Sequence, residues 1–206
     1  MVRAPRQKRS QQTADVIVEA AARVFAEMGL ERSTTNRIAE VAGVSVGSLY
    51  QYFPDKHALF TAIFLRESAR LEAVLLRIFA EIGLDDVPAI VRAYTEETLA
   101  VFEESAPLYR MLLDEVPRFA GLDPTHAVDK KAARSLHMLL ELGRSRIAPR
   151  NLEVAAHLMV RSFRYNTLVT LREPLAGAAR ADFVEEMTAM LSNYLFGPRP
   201  PLKGRE

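Results

Sequence analysis

Apolar residues recur at intervals of three and four along nearly the whole chain, and no segment alternates between apolar and polar positions as a half-buried strand would. The first stripe runs through Val16, Ala20, Val24 and Met28. Pro, Gly, Asp and Asn residues interrupt the pattern and mark the ends of helices. The pattern predicts an all-α protein of about nine helices. Two short helices fall inside residues 34–53, and the others cover about residues 12–28, 55–81, 87–104, 107–115, 125–146, 152–172 and 181–196.

The fourth predicted helix is long enough to connect two regions of the chain. Pro54 disfavours helical geometry at Phe53 and ends the preceding helix. Asp55 is a good N-cap for the next helix, which is about 40 Å long at 1.5 Å per residue. We therefore expect a basic N-terminal arm in residues 1–10, a small three-helix head in residues 11–56 and a larger helical body in residues 57–206.

The last two predicted helices carry more apolar surface than one subunit is expected to bury. Residues 152–171 read LEVAAHLMVRSFRYNTLVTL, with apolar side chains around almost the whole helix. Such a helix is usually buried on all sides, either by a second subunit or as the central core helix of one chain. The next helix carries on one face Phe183, Met187, Met190, Leu191 and Tyr194. We predict a homodimer through these two helices, with the monomeric core helix as the alternative.

The chain of 206 residues has a formal net charge of only +1 and contains no cysteine, which excludes disulfides and thiolate metal sites. Its positive charge is local, because Arg3, Arg6, Lys8 and Arg9 precede any acidic residue. Such an arm either seeks phosphates or is a solvated tail. No apolar run is long enough for a membrane span, and charges interrupt the first apolar stretch as no signal peptide would allow. We expect a cytoplasmic protein without a membrane partner.

Residues 43–47 read GVSVG, which matches the G-x-S-x-G pattern of serine hydrolases. A nucleophilic serine in that pattern requires a buried strand before it and a catalytic acid and histidine after it. The preceding residues TTNRIAEVAG have helical spacing and few strand formers, and the 4 histidines of the chain are isolated from one another. We therefore expect no enzyme activity, no metal site and no cofactor.

A helix-turn-helix explains the same residues better. Thr34 and Ser45 are each suited to cap a following helix, and Gly43 suits a tight turn with positive φ. Ala39 is small enough for a second helix to approach closely, and Leu49 falls where that helix needs a core residue. The second helix of such a unit enters the major groove of DNA. The polar and small residues on its outer side are therefore candidate DNA contacts.

Two residues of this region are unusual for their positions. Gly47 lies inside a short helix, where glycine costs about 1 kcal/mol relative to alanine. Close approach of a DNA phosphate explains it, and chance is the alternative. Lys56 lies in the first turn of the fourth helix, where the helix dipole disfavours a cation. A phosphate docked at that N-terminus reverses this balance, and an exposed lysine without function is the alternative.

From about Thr13 to Phe60 the chain resembles the DNA-binding head of the TetR family of bacterial transcriptional regulators. The resemblance is carried by AAARVFAEMGLERSTTNRIAEVAGVSVGSLYQYFPDKHALF. It implies a three-helix head with a helix-turn-helix, a ligand-binding and dimerising helical body, and double-stranded operator DNA as a partner. The DNA contacts that it implies are Thr34, Thr35, Asn36, Arg37, Ser45, Val46, Gly47, Ser48, Tyr50, Tyr52 and Lys56.

The resemblance also implies a homodimeric repressor that leaves its operator when a small molecule binds to the body. The body resembles the family only in the number and layout of its helices, so it does not identify the ligand. A pocket of the usual apolar kind predicts a small apolar or aromatic effector. Its candidate residues, each of a type also common in a plain core, are Phe102, Tyr109, Leu112, His137, Met138, Phe163 and Asn166. The alternative is an effector-independent activator or an architectural DNA-binding protein.

Overall fold

The computed structural model describes residues 5–83, 85–115, 124–149, 151–173 and 179–197. Within these ranges the chain forms nine α-helices, one short 3₁₀ turn and no strand, which confirms the predicted all-α class. The helices are α1 (Pro5–Arg32), α2 (Thr35–Ala42), α3 (Val46–Tyr52), α4 (Lys56–Ile82), α5 (Val87–Glu104), α6 (Ala106–Glu115), α7 (Pro124–Leu142), α8 (Leu152–Arg172) and α9 (Arg180–Phe196). Within the described ranges, none of the helices combines the length and the hydropathy that a membrane span requires.

Three helix ends differ by four or more residues from the predicted ones, and one of them is the end of α1, at Arg32 rather than near residue 28. Helix α1 begins at Pro5 rather than near residue 12, because proline is accepted in a first helical turn and no helix breaker follows it. Helix α7 ends at Leu142 rather than near residue 146, because Gly143 follows and Arg144–Arg146 form a 3₁₀ turn. Helix α1 is also interrupted at Gly29, whose φ of 75° is one that glycine adopts without strain.

The described chain divides into two compact units, of which the first contains the helix-turn-helix. It comprises the residues up to Ala69 and Ser105–Pro124, and so holds α1, α2, α3, the first part of α4, and α6. Within this unit α1 packs against α2 and α6, and α2 packs against α3. Its fully buried side chains include Ile17, Phe25, Leu30, Ile38, Leu49, Leu59, Phe60 and Ile63.

The second unit comprises Arg70–Glu104 and the residues from Thr125 onward. It therefore holds the rest of α4 together with α5, α7, α8 and α9, and within it α5 packs chiefly against α9 and also against α8. Its core cluster consists of Val91, Ala133, Leu140, Ile147, Leu152, Ala155, Ala156, Met159, Phe163, Met187, Leu191 and Leu195.

Helices α8 and α9 bury only part of their apolar surface within this chain. On α8 the chain buries the side that carries Ala155, Met159 and Phe163. The same two helices expose other large apolar side chains, namely Val154, Leu158, Tyr165, Met190, Tyr194 and Phe196. One side of α8 is therefore buried in the core of its own chain, as the monomeric alternative predicts, and the other side is exposed.

Candidate nucleic-acid interface

The turn between α2 and α3 has the geometry predicted from its sequence. Thr34 caps α2, and its hydroxyl accepts a hydrogen bond from the backbone N–H of Arg37 at 3.2 Å. Gly43 follows α2 in the left-handed conformation, with φ 67° and ψ 30°. Its N–H donates to the carbonyl of Glu40, and the N–H of Val44 donates to that of Ala39. Because other residues adopt positive φ only with strain, the glycine is what allows this sharp turn.

Helix α3 is held by its first residues and by one core side chain. The Ser45 hydroxyl accepts from the backbone N–H of Ser48 at 3.0 Å and lies 2.8 Å from the Ser48 hydroxyl. Leu49 is fully buried and fixes the helix against the rest of the unit. The helix reads VGSLYQY and carries no charged side chain. Any reading of bases by α3 therefore depends on hydroxyl, phenol, amide and methyl groups.

The predicted contacts at the start of α2 lie beside α3. The hydroxyls of Thr35 and Tyr50 are 3.0 Å apart and join the two helices at their exposed side. Asn36 is exposed and available to a ligand. Arg37 forms an exposed ion pair with Glu40 at 2.9 Å, which it must share or leave to reach a phosphate.

The remaining predicted contacts differ in their exposure. Gly47 is exposed, while Val46 and Tyr52 are partly buried. Lys56 is also partly buried, unlike the exposed lysine without function that was the alternative for this position. Its ammonium group donates to the carbonyls of Leu30 and Glu31 at 3.0 and 3.1 Å, at the end of α1. Asp55 caps α4, its carboxylate accepting from the N–H of Ala58 at 2.8 Å.

The surroundings of Ser45 are those of a helix cap rather than of a nucleophile. Helix α2, not a strand, precedes the GVSVG turn, and the hydroxyl of Ser45 bonds to Ser48. Among the residues that the structure describes, no three His, Asp or Glu side chains form a group that could hold a metal ion.

Residues 5–10 of the basic arm form the start of α1, but most of the charged side chains of the arm lie outside the described part of the chain. Arg3 precedes the first described residue, and the side chains of Arg6 and Lys8 are outside the described part as well. Arg9 is exposed on α1. Contact between the arm and DNA stays a prediction.

The candidate ligand residues fall in both units. Tyr109 and Leu112 are buried in the first unit, where the Tyr109 hydroxyl donates to the buried carboxylate of Glu67 at 2.9 Å. Phe102, His137, Met138, Phe163 and Asn166 belong to the second unit. Phe102 and Phe163 are buried, whereas Met138 and Asn166 are exposed and His137 pairs with Glu141 at 3.3 Å. The seven residues stay predictions.

One surface depression is described, on the first unit, and none of the seven candidates lines it. It has a volume of about 480 Å³ and is open to solvent; its lining residues are Asp15, Val16, Glu19, Ala20, Arg23, Val41 and Arg66.

The second unit contains polar groups that the sequence did not single out. Tyr94 contacts the Phe163 ring, with centroids 4.7 Å apart, and the hydroxyls of Thr98 and Thr167 are buried without a hydrogen-bond partner among the described residues. No sequence signal separates these two threonines from others in the same helices.

Comparison with known proteins assigns both parts of the chain to protein families. A family model described as "Bacterial regulatory proteins, tetR family" matches residues 17–63, and one described as "Tetracyclin repressor-like, C-terminal domain" matches residues 86–195. A solved structure of a TetR-family transcriptional regulator from Mesorhizobium loti has a TM-score of 0.72 and 18% identity, covering 90% of this chain and 96% of that one. At this identity the likeness shows the fold.

Two curated relatives are similar in sequence. The HTH-type transcriptional repressor AcnR of Corynebacterium diphtheriae is 33% identical over 132 residues, which are 63% of this chain and 66% of that protein. The nucleoid occlusion factor SlmA of Haemophilus ducreyi is 41% identical over 59 residues, 29% of this chain and 28% of that protein. The chain thus matches less than two thirds of the length of these relatives.

A head with a capped helix-turn-helix, together with a larger all-helical body, defines the class of helix-turn-helix transcriptional regulators. Because the second family model covers more than half of the 206 residues, the particular family is also shown. The chain belongs to the TetR family of bacterial transcriptional regulators.

Proposed function

We propose that this protein is a homodimeric repressor that binds double-stranded operator DNA through α2 and α3 and leaves it when a small effector binds to the body. The observation that carries the DNA-binding part is the doubly capped α2–α3 unit, with Ser45 and Gly43 setting its geometry. Its exposed side presents Thr34, Asn36 and Tyr50. Such side chains reach phosphates or base edges when the second helix lies in the major groove.

The repressor and effector parts of the proposal are supported by sequence similarity to repressors and by the presence of the second unit. AcnR is described as a repressor, and a second relative, from Mycobacterium tuberculosis, is described in the same way. A separate helical unit with its own core provides a place for a ligand other than DNA. Regulation then requires that the ligand bind one arrangement of the dimer better than another. Location in the cytoplasm, where operator DNA is found, belongs to the same proposal.

The dimer is supported by the uncovered apolar side chains of α8 and α9. Leu158, Tyr165 and Met190 are each exposed in the single chain. Met187, in contrast, lies in the core of its own subunit, and Phe183 packs against that core. Charged substitutions at those two positions would unfold the subunit rather than separate a dimer, so they do not test the interface.

A second candidate function is an architectural DNA-binding protein or an activator that needs no effector. The similarity of 59 residues of this chain to the nucleoid occlusion factor SlmA favours this possibility. Both candidates use the same head, and they differ in whether a small molecule changes DNA binding.

The test is a binding titration on the DNA upstream of the protein's own gene, with a scrambled duplex of equal length as control. We expect tighter binding to the upstream duplex, and release from it by at least one compound of a metabolite panel. An Asn36→Ala variant should lose about 1–3 kcal/mol on the upstream duplex only, if this amide reads a base. Equal affinity for both duplexes at every salt concentration would reject the repressor and favour the architectural protein.

A further inference from the structure

Two threonines in the second unit keep buried hydroxyls without a partner. Thr98 on α5 and Thr167 on α8 are fully buried, and neither hydroxyl makes a hydrogen bond to a residue that the structure describes. Other threonines of the same helices behave differently. Thr95 donates to the carbonyl of Val91, and Thr170 to that of Asn166, each at 2.7 Å. The hydroxyls of Thr98 and Thr167 are thus not committed to the carbonyl four residues earlier, as helical threonines often are.

Both threonines lie one helical turn beyond an aromatic contact. Thr98 follows Tyr94 by four residues on α5, and Thr167 follows Phe163 by four residues on α8. Residues four apart share a helix face. The Tyr94 and Phe163 rings touch, with centroids 4.7 Å apart and planes inclined by 33°. Each hydroxyl therefore lies on the same side of its helix as the ring pair.

Helices α5 and α8 run in the same direction. From Arg92 to Glu103 along α5 the partners on α9 move backwards, since Arg92 pairs with Glu185 and Glu103 with Arg180. The start of α8 lies at the end of α9, where the N–H of Ala148 donates to the carbonyl of Leu195. The two threonines accordingly occur at the same level, one turn past the rings.

The polar groups near the rings are neutral or paired. Burial raises the pKa of Tyr94 to about 12, and the Glu72 carboxylate adds to the rise. Glu72 itself accepts hydrogen bonds from Lys131 at 2.6 Å and Ser135 at 2.8 Å, and the Lys131 contact holds its pKa below the usual value. A carboxylate so near the phenol disfavours an anionic ligand there.

We propose that the effector is a small, neutral, largely aromatic molecule with one hydroxyl or carbonyl oxygen. Its oxygen bonds to the hydroxyls of Thr98 and Thr167, and its ring packs against Tyr94 and Phe163. The proposal rests on the proposed function only in calling this ligand an effector, because binding to the body is measured without DNA. A site of this kind combines an apolar wall with a few placed polar groups.

The probes are three molecules that share a phenylalkyl group and differ at its end. They are 4-phenyl-1-butanol, 4-phenylbutyrate and n-butylbenzene, each titrated against the full chain while its melting temperature is followed. We expect the alcohol to raise the melting temperature most, because ligands that bind only the folded state stabilise it. The carboxylate and the hydrocarbon should give smaller shifts. Equal shifts from all three, or none from the alcohol, would overturn the proposal.

The decisive variants are Thr98→Val and Thr167→Val, which remove a hydroxyl and keep the branched shape. Each should raise the melting temperature of the free protein, because an unpaired buried polar group is replaced by an apolar one. Each should also weaken binding of the alcohol by about 10-fold, equivalent to about 1.4 kcal/mol, and leave the hydrocarbon unaffected. Each variant is thus expected to stabilise the free protein but to weaken its binding of the alcohol.

The matched control is Thr95→Val, whose hydroxyl is equally buried on α5 but bonded to Val91. It should lower the melting temperature and leave the binding of all three probes unchanged. If Thr98→Val and Thr167→Val stabilise the protein without weakening the alcohol, the hydroxyls are only core groups and the proposal is wrong. A failure of DNA binding in the separate titration leaves this result intact, so the two proposals fail independently.

Discussion

At the scale of single residues, the two glycines of the GVSVG turn have different physical reasons to be glycine. Gly43 has a φ of 67°, which strains any residue with a side chain. Gly47 has an ordinary helical backbone, and a Cβ there would meet only the Ser45 hydroxyl, at 3.9 Å. The fold thus requires the first glycine and does not require the second. Close approach of DNA to the backbone of α3 at Gly47 therefore stays a prediction, with chance as the alternative.

Gly47→Ala should therefore separate stability from DNA binding. We expect the free energy of unfolding to rise by about 0.5–1 kcal/mol, because alanine is the better helix former. DNA binding should weaken on cognate and scrambled duplexes alike, since the added methyl group meets the DNA backbone rather than a base. Gly43→Ala is the control and should destabilise the head. Unchanged DNA affinity of Gly47→Ala would make that glycine an accident of sequence.

The buried phenol of Tyr94 predicts a loss of stability at high pH. Burial raises its pKa to about 12 in the folded protein, whereas an unfolded tyrosine titrates near 10. The folded state therefore holds the proton more tightly. The contribution of Tyr94 is fully present below pH 10 and is lost as the pH rises from about 10 to about 12.

Tyr94→Phe should remove this loss. Between about pH 10 and 12 the wild type should lose about 1.4 kcal/mol of unfolding free energy per pH unit more than the variant. Denaturant titrations of both proteins at several pH values measure the difference, which should stay constant below pH 9. Parallel curves up to pH 12 would show that the phenol is not desolvated in the folded protein.

At the scale of helices, Lys56 joins the end of α1 to the start of α4. The ammonium group lies at the last carbonyls of α1, where the helix dipole favours a cation and carbonyl groups lack helical partners. An ammonium group has three N–H donors, so one remains for a DNA phosphate. The position of Lys56 in the first turn of α4 does not predict these two hydrogen bonds, which give the residue a structural role.

Lys56→Ala should lower the free energy of unfolding by about 1–3 kcal/mol, because two charge-assisted hydrogen bonds are lost. It should also weaken DNA binding equally on both duplexes and reduce the salt slope by about one unit. The control is Lys130→Ala, which removes an exposed lysine of α7. A destabilised variant with an unchanged salt slope would leave Lys56 as a structural residue only.

The proposed dimer is tested at the exposed faces of α8 and α9. Leu158→Glu and Tyr194→Glu each place a charge where a partner would cover an exposed apolar side chain. In an interface an unpaired buried charge is costly, and we expect a loss of about 2–4 kcal/mol in dimer stability. Light scattering should then show monomers with a folded helical spectrum.

Met138→Glu is the matched control for these variants. Met138 on α7 is 64% exposed, so it offers a comparable apolar side chain outside α8 and α9. We expect it to remain dimeric. Dimers in both test variants, or monomers in the control, would place the interface elsewhere.

At the scale of the whole molecule, charge balance limits how DNA is attracted. With 27 basic and 26 acidic residues the chain has no net field that would draw it to a polyanion. Affinity must come from local groups of the head, and a dimer doubles them.

If an effector weakens DNA binding by a given factor, DNA must weaken effector binding by the same factor. A coupling of about 1–3 kcal/mol, or about 5–150-fold, is usual for such regulators.

Local signals in the chain allowed much of the fold and of the turn to be predicted. The caps Thr34, Ser45 and Asp55 and the positive φ of Gly43 all follow from interactions within a few residues. The boundaries of most helices were also predictable, because proline, glycine and apolar periodicity act locally. The family resemblance rested on the same short-range pattern, and two family models confirm it.

The sequence by itself thus determined the helices, their caps, the helix-turn-helix and the family. Only the tertiary structure decided which residues those helices bring together. Lys56 bonds to α1 across 25 and 26 residues of chain, and Tyr94 meets Phe163 from another helix. The same holds for Met187, buried on α9, and Met190, exposed three residues later. Burial and pairing of this kind depend on contacts between distant segments, and the spacing of residues along one helix does not specify its neighbours.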